Sequence, residues 1–229
     1  MIPQASLFLG IIPALLLLFV GLKGFQGLYK EKNIFLSFVV GIFLGVIAAI
    51  MQSFTILTIV YVVLLAFINQ LLKTMILNIG RLQEQRVTVI YGLSLGLGFG
   101  SAFTPMIILA VDRLVTTDMT VQAVLVIGTL GIILFHGATG AFLGYGIYLG
   151  KTMKYLFMAI FVELAFDVLL GITIAYSRPE SILAVSGCTI GLVCYGAVLF
   201  LYVTQKMMPK ILDEYQRRKR SRNLQTLIK

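Results

Sequence analysis

The chain has 229 residues, of which 59% are hydrophobic and only 12% are charged, and its formal net charge is +9. Soluble domains carry about 25% charged residues. A chain this apolar cannot solvate its own surface, which excludes a soluble enzyme, a nucleic-acid-binding domain and a disordered protein, and predicts a polytopic membrane protein.

Seven apolar segments are each long enough to cross about 30 Å of hydrocarbon. In chain order they are Ala5–Leu22, Asn33–Gln52, Thr55–Leu77, Val87–Val111, Val121–Leu149, Lys154–Tyr176 and Ser181–Thr204. No basic region precedes the first segment and no small-residue cleavage site follows it, so we expect a retained span rather than a signal peptide. The expected fold is all-α, with one transmembrane domain over residues 1–204 and a basic tail over residues 205–229.

The loops predict the orientation because basic residues collect on one side of the seven segments. That side carries the tail and seven loop residues: Lys23, Lys30, Lys32, Arg81, Arg86, Lys151 and Lys154. The opposite side has only Arg113 and Arg178, each close to an acidic residue. Loops rich in lysine and arginine stay in the cytoplasm, so we expect the amino terminus outside and the carboxyl terminus inside.

The tail ends in a basic run that contains Arg217, Arg218, Lys219, Arg220 and Arg222. Such a run next to a membrane segment is typical of contact with anionic lipid headgroups. An acidic partner or RNA is the alternative, but an integral membrane chain favours lipid over nucleic acid. Just before the run, the pattern of Ile211, Leu212 and Tyr215 predicts a short interfacial helix that continues the last span.

Small residues indicate where helices pack. The fourth segment has glycines at four-residue spacing and the fifth has a similar pair: Gly92, Gly96 and Gly100, then Gly140 and Gly144. Glycines on one face let two helix backbones approach closely, so we expect the fourth and fifth spans to pack there; a substrate cavity is the alternative.

Cys188 and Cys194 are six residues apart on one helix and cannot form a disulfide with each other. We therefore expect both to be small packing residues.

Polar residues within apolar segments need a reason, because a charge at a helix centre costs roughly 2.5–3.5 kcal/mol. Six such residues occur: Asn69, Gln70, Lys73, His136, Glu163 and Asp167. Glu163 and Asp167 lie one helical turn apart, so we expect one of them to hold a proton or a cation to lie between them. Lys73 is about one turn from the cytoplasmic end of its span and is expected to reach out to the membrane surface.

Three interpretations of these residues stay open at this point. The first is interhelical hydrogen bonding that fixes helix register. The second is a metal site in which His136, Glu163 and Asp167 bind zinc or another divalent ion. The third is a proton or ion relay for transport, against which stands the absence of an inverted repeat with a broken helix in each half.

Four stretches follow one another in an order that resembles the motifs of the PrsW-like branch of the CAAX-protease and bacteriocin-processing superfamily. They are FINQLLK at 67–73, YGLSLGLGFGSAFT at 91–104, HGATGAFLGYG at 136–146 and ELAFD at 163–167. The family's first motif has two glutamates, two residues, then a lysine or arginine; here Asn69 and Gln70 replace both glutamates. Phe103 stands where the second motif has an acid, and Glu163 stands where the fourth has a histidine.

The resemblance implies a multi-span intramembrane protease fold whose catalytic acids have become amides. Amides cannot take up a proton at neutral pH and are poor metal ligands. The chain then looks like a pseudoprotease: a scaffold or chaperone-like subunit that binds transmembrane segments or lipid beside other membrane proteins, with no cofactor expected. The alternatives are an active metalloprotease with altered ligands, centred on His136 and Glu163, and a small ion-coupled transporter.

The absence of targeting features fits a prokaryotic plasma membrane.

Overall fold

The computed structural model describes residues 3–53, 59–80, 85–114, 119–176 and 181–212. Within these ranges the chain is helical, with short turns and no strand. The helices are α1 (Pro3–Leu22), α2 (Glu31–Ser53), α3 (Ile59–Leu77), α4 (Val87–Leu114), α5 (Met119–Tyr148), α6 (Thr152–Ala175) and α7 (Ile182–Tyr202). The basic run at 217–222, and with it the predicted lipid contact, lies outside the described residues.

The helices form because a chain in lipid must satisfy its backbone hydrogen bonds within each segment. Five of them contain stretches long and apolar enough to cross a membrane: Glu31–Gln52, Val60–Leu77, Ala123–Tyr148, Thr152–Ala175 and Ile182–Leu212. Shorter apolar stretches occupy Phe8–Leu22 and Val87–Phe103. Large apolar side chains point outward; Leu183, for example, has 86% of its surface exposed. The predicted all-α fold is confirmed for the described residues, and several of its helices are suited by length and composition to a multi-pass membrane protein. The count of seven spans and the orientation stay predictions.

The predicted helical continuation of the last span is present as far as Leu212, where the described residues end. A π-helical turn, Val203–Met207, follows α7, and helix continues to Leu212. Met208 and Ile211 are fully buried in the main hydrophobic core. Residues 205–212, which the sequence assigns to the tail, therefore pack as part of the helical bundle.

The centre of the bundle is α4, which packs against α1, α2 and α5. Every residue from Thr88 to Phe103 is buried. On the α2 side, a Cβ added at Gly41 or Gly45 would overlap the α4 backbone. The hydroxyl of Ser94 also donates a 2.7 Å hydrogen bond to the carbonyl of Ile34.

The predicted glycines lie at the contact between α4 and α5. A Cβ on Gly92 would overlap the carbonyl of Gly140, and one on Gly96 would overlap the carbonyl of His136. Gly100 faces the backbone of Ile133, and Gly144 faces that of Thr88. The two backbones touch at these positions, so the glycines do not line a cavity between the helices.

The described part of α7 contains both cysteines as free thiols. Cys188 is half-buried and Cys194 is exposed. The prediction of two packing residues therefore holds in part for Cys188 and is wrong for Cys194.

Helix α3 lies at the edge of this core, where it packs chiefly on α6 and less extensively on α5, α2 and α4. Its outer face is apolar and exposed, as at Val60, Val63 and Leu64. Its inner face carries the polar residues that the sequence singles out. The position of α3 against α5 and α6 assembles the candidate site.

Candidate functional site

A buried polar cluster joins α3, α5 and α6. Helix α3 contributes Asn69, Gln70 and Lys73, because Lys73 follows the two amides by four and three residues, and residues at these spacings share a face of a helix. All three are buried, and Lys73 has 0% of its surface exposed. The expectation that Lys73 reaches the membrane surface is wrong, since its ammonium finds its hydrogen-bond partners inside the bundle.

Two amides of α3 hold the carboxylate of Glu163 on α6. Asn69 Nδ2 donates to Glu163 Oε1 at 2.9 Å, and Gln70 Nε2 donates to Glu163 Oε2. Glu163 is itself fully buried. Each carboxylate oxygen thus accepts a hydrogen bond from a different residue, which is how proteins keep a buried acid from being left without partners.

Lys73 turns in the other direction, toward α5. Its Nζ lies 3.2 Å from His136 Nδ1 and donates to Thr139 Oγ1 at 3.0 Å. Thr139 Oγ1 in turn donates to the backbone carbonyl of His136 at 3.2 Å. Because a protonated lysine only donates, His136 Nδ1 is the acceptor and the ring hydrogen is assigned to Nε2.

Aromatic rings close the cluster around His136. The ring centroids of Phe99, Phe103 and Phe135 lie 4.8, 5.2 and 5.3 Å from that of the imidazole. Lys73 Nζ is 5.0 Å from the Phe99 centroid, within the range of a cation–π contact. Phe103, which stands where the resembled motif has an acid, therefore stacks on the imidazole.

Asp167 lies one turn beyond Glu163 on α6 and is half-buried. It interacts electrostatically with Glu163 and Lys73. No hydrogen bond joins its carboxylate to another described residue. Asp167 is thus the least enclosed charged group of the cluster.

Two acceptors at the cluster have no hydrogen-bond partner within the described ranges: Asn69 Oδ1 and Gln70 Oε1. Both amides turn their nitrogens to Glu163, which leaves their oxygens unsatisfied. An unsatisfied buried acceptor costs about 1–3 kcal/mol. The arrangement therefore favours a group that would bring positive charge or hydrogen-bond donors to these oxygens.

The zinc ligands proposed from the sequence are His136, Glu163 and Asp167. Among the described side chains, no group of three or more histidine, cysteine, aspartate or glutamate residues could hold a metal ion. The candidate ligands His136 and Glu163 face different residues of α3, and His136 Nδ1 already accepts from Lys73. With this hydrogen bond in place, Nδ1 is not free to bind a metal or to accept a proton from another group.

All six polar residues chosen from the sequence meet at this place, five through hydrogen bonds and Asp167 through electrostatic interaction. Two contacts of Lys73 were not predicted from the sequence: those with Thr139 and with the ring of Phe99. Thr139 stands three residues after His136, and this spacing on a helix was the available signal.

Comparison with known proteins returns no match: no family model, no curated protein and no solved structure matches this chain. The resemblance to PrsW-like proteases therefore rests on the four stretches of sequence and on nothing beyond them.

Proposed function

We propose that this protein is a non-catalytic membrane subunit of the PrsW-like type, a pseudoprotease that acts as a scaffold or chaperone for transmembrane segments or lipid. The observation that carries the proposal is the pair of amides on Glu163. Asn69 and Gln70 stand where the resembled proteases have acids, and both donate to the one buried carboxylate. A carboxylate held in this way is a structural group rather than a base poised to activate water.

The second support is the state of His136. Hydrolysis of a peptide needs a base that works near neutral pH, or a metal that lowers the pKa of bound water. The imidazole nitrogen that could accept a proton is bound to Lys73, and aromatic rings surround the imidazole. We therefore expect His136 to meet neither requirement.

The cluster instead has a clear structural role. Helix α3 lies at the edge of the core, and its polar residues tie it to α5 through Lys73 and to α6 through Asn69 and Gln70. Interhelical hydrogen bonds in membranes contribute about 0.6–2 kcal/mol each. These bonds fix the rotation of α3, and with it the apolar face that α3 turns outward for a partner helix or acyl chains.

The orientation belongs to the same proposal. The one-sided distribution of lysine and arginine favours seven spans with the amino terminus outside and the carboxyl terminus inside a prokaryotic plasma membrane. The basic run at 217–222 would then meet the anionic lipids of the cytoplasmic leaflet. The expected partners are other membrane protein subunits and lipid, not nucleic acid.

The test is purification of the full chain from native membranes in mild detergent, followed by three measurements on the same sample. We expect stoichiometric co-purifying membrane subunits, no bound zinc, and no cleavage of a panel of transmembrane substrates. Stoichiometric zinc together with cleavage that His136→Ala abolishes would overturn the proposal and favour an active protease with altered ligands.

A small ion-coupled transporter is the second candidate, which the two carboxylates on one face of α6 favour. Counterflow of a substrate in liposomes that Asp167→Asn abolishes would support it. Retention of the co-purifying subunits by the same variant would separate the two functions.

A further inference from the structure

The charges of the polar cluster do not balance when both of its acids are ionised. Glu163 and Asp167 then place two negative charges on α6, whereas Lys73 supplies one positive charge and directs its hydrogen bonds to His136 and Thr139 on α5. With His136 neutral, this state of the cluster has one negative charge in excess. An uncompensated charge within the membrane is costly and requires a counter-charge.

A second and independent observation concerns the amides. Asn69 Oδ1 and Gln70 Oε1 have no hydrogen-bond partner in the described part of the chain, and the two residues are 4% and 0% exposed. Each oxygen belongs to an amide whose nitrogen already contacts Glu163, so both lie beside that carboxylate. The unpaired acceptors and the excess negative charge thus occur at the same place.

Three small species could occupy this place, and they differ in what they satisfy. A proton on either acid balances the charge but leaves both amide oxygens unpaired. A water molecule donates to both oxygens but leaves the charge. A monovalent cation balances the charge and also gives both amide oxygens a partner, because amide and carboxylate oxygens are the ligands that hard cations prefer.

We infer that Asn69, Gln70, Glu163 and Asp167 form a binding site for a monovalent alkali cation of the Na⁺ type. The amide oxygens and Glu163 supply the enclosed ligands. Asp167, half-buried and without a hydrogen bond in the described structure, is the most accessible oxygen donor. One positive charge matches the excess, whereas a divalent ion would leave the cluster positively charged. The inference does not depend on the scaffold function, because the ion would stabilise the same helices in any of the candidate functions.

The test is cation-dependent stability of the purified full chain in detergent. The chain contains no tryptophan, so unfolding is followed by far-ultraviolet circular dichroism. Sodium chloride is exchanged for choline chloride at constant ionic strength, which holds charge screening fixed. A ligand that binds only the folded state raises Tm with its concentration, so we expect Tm to rise with Na⁺ above the dissociation constant. Binding of radioactive Na⁺ should saturate at a single ion per chain.

Two variants separate the site from a general salt effect. Asp167→Asn removes the excess charge with little change in shape and breaks no hydrogen bond seen here, so we expect a folded protein whose apparent Kd for Na⁺ rises about tenfold or more. Thr189→Val is the matched control. Thr189 Oγ1 on α7 is also buried and has no hydrogen-bond partner among the residues that the structure describes, and it belongs to no hydrogen bond of the cluster. It should keep the Na⁺ response of the wild type.

Three results would overturn the inference. The first is a wild-type Tm that is the same in sodium and choline. The second is a Tm that varies with pH but not with Na⁺, which would show that a proton alone neutralises the cluster. The third is a Na⁺ response that survives in Asp167→Asn, or that is lost equally in Thr189→Val. Each outcome stands apart from the subunit and cleavage measurements that test the proposed function.

Discussion

Gly96→Ala probes the contact that connects helix packing to the polar cluster. A Cβ at Gly96 would overlap the carbonyl oxygen of His136, and it would lie 2.8 Å from the His136 carbonyl carbon and 3.0 Å from Gly137 Cα. All three atoms are backbone, so no side-chain rotation relieves the overlap. Helix α5 must move away from α4 and carry His136 with it.

The expected magnitude follows from two opposing effects. Overpacking that shifts the backbone typically lowers the free energy of unfolding by about 1–3 kcal/mol. Because all the contacts at Gly96 are with backbone atoms, we expect a cost of about 3 kcal/mol, at the upper end of this range. Replacing glycine by alanine inside a helix recovers about 1 kcal/mol. We therefore expect Gly96→Ala to lower the free energy of unfolding by about 2 kcal/mol, measured by far-ultraviolet circular dichroism in mixed detergent micelles of increasing denaturing strength.

Gly187→Ala is the matched control, because Gly187 lies within α7 and a Cβ there meets nothing within 4 Å. This substitution should stabilise the protein by about 0.5–1 kcal/mol. The reasoning is refuted if Gly96→Ala is as stable as the wild type, or if the two substitutions destabilise equally. Either result would mean that backbone contact at Gly96 does not determine the separation of α4 and α5.

The remaining predictions concern the cluster and the orientation. Lys73→Met removes a buried ammonium and should lower the free energy of unfolding by about 3–5 kcal/mol, because loss of one member of a buried charged group leaves the others uncompensated. Wild-type stability of this variant in the same micelle titration would contradict the assigned hydrogen bonds. Replacing Asn69 and Gln70 together by glutamate turns two hydrogen-bond donors to Glu163 into like charges, so we expect a lower Tm, which added zinc partly restores. An unchanged Tm without metal would argue against the two hydrogen bonds from the amides to Glu163. In a cysteine-free background, a cysteine at Asn223 should resist an impermeant thiol reagent in intact cells while one at Thr117 reacts, and the opposite labelling would reverse the orientation.

The sequence by itself determined the class of fold, because its composition leaves few choices. Long apolar segments in lipid must form helices to satisfy their own backbone, and the helices begin and end close to the predicted residues. Glycines at four-residue spacing indicated which faces of α4 and α5 come together, since a glycine stripe allows backbones to touch. The six polar residues stood out for a similar reason: each is expensive in an apolar segment.

Only the tertiary structure decided how those residues pair. Asn69 and Glu163 are 94 positions apart, and Lys73 and His136 are 63 apart, so no local spacing relates them. The polar faces of α3 and α6 can be recognised in the sequence, but nothing in the sequence shows which other helix each of them meets. The peripheral position of α3 is what directs Lys73 into the bundle and toward His136, instead of outward along its own helix. The same position leaves two amide oxygens of α3 without a partner among the described residues, beside a carboxylate of α6, which is a property of the two helices together and of neither alone.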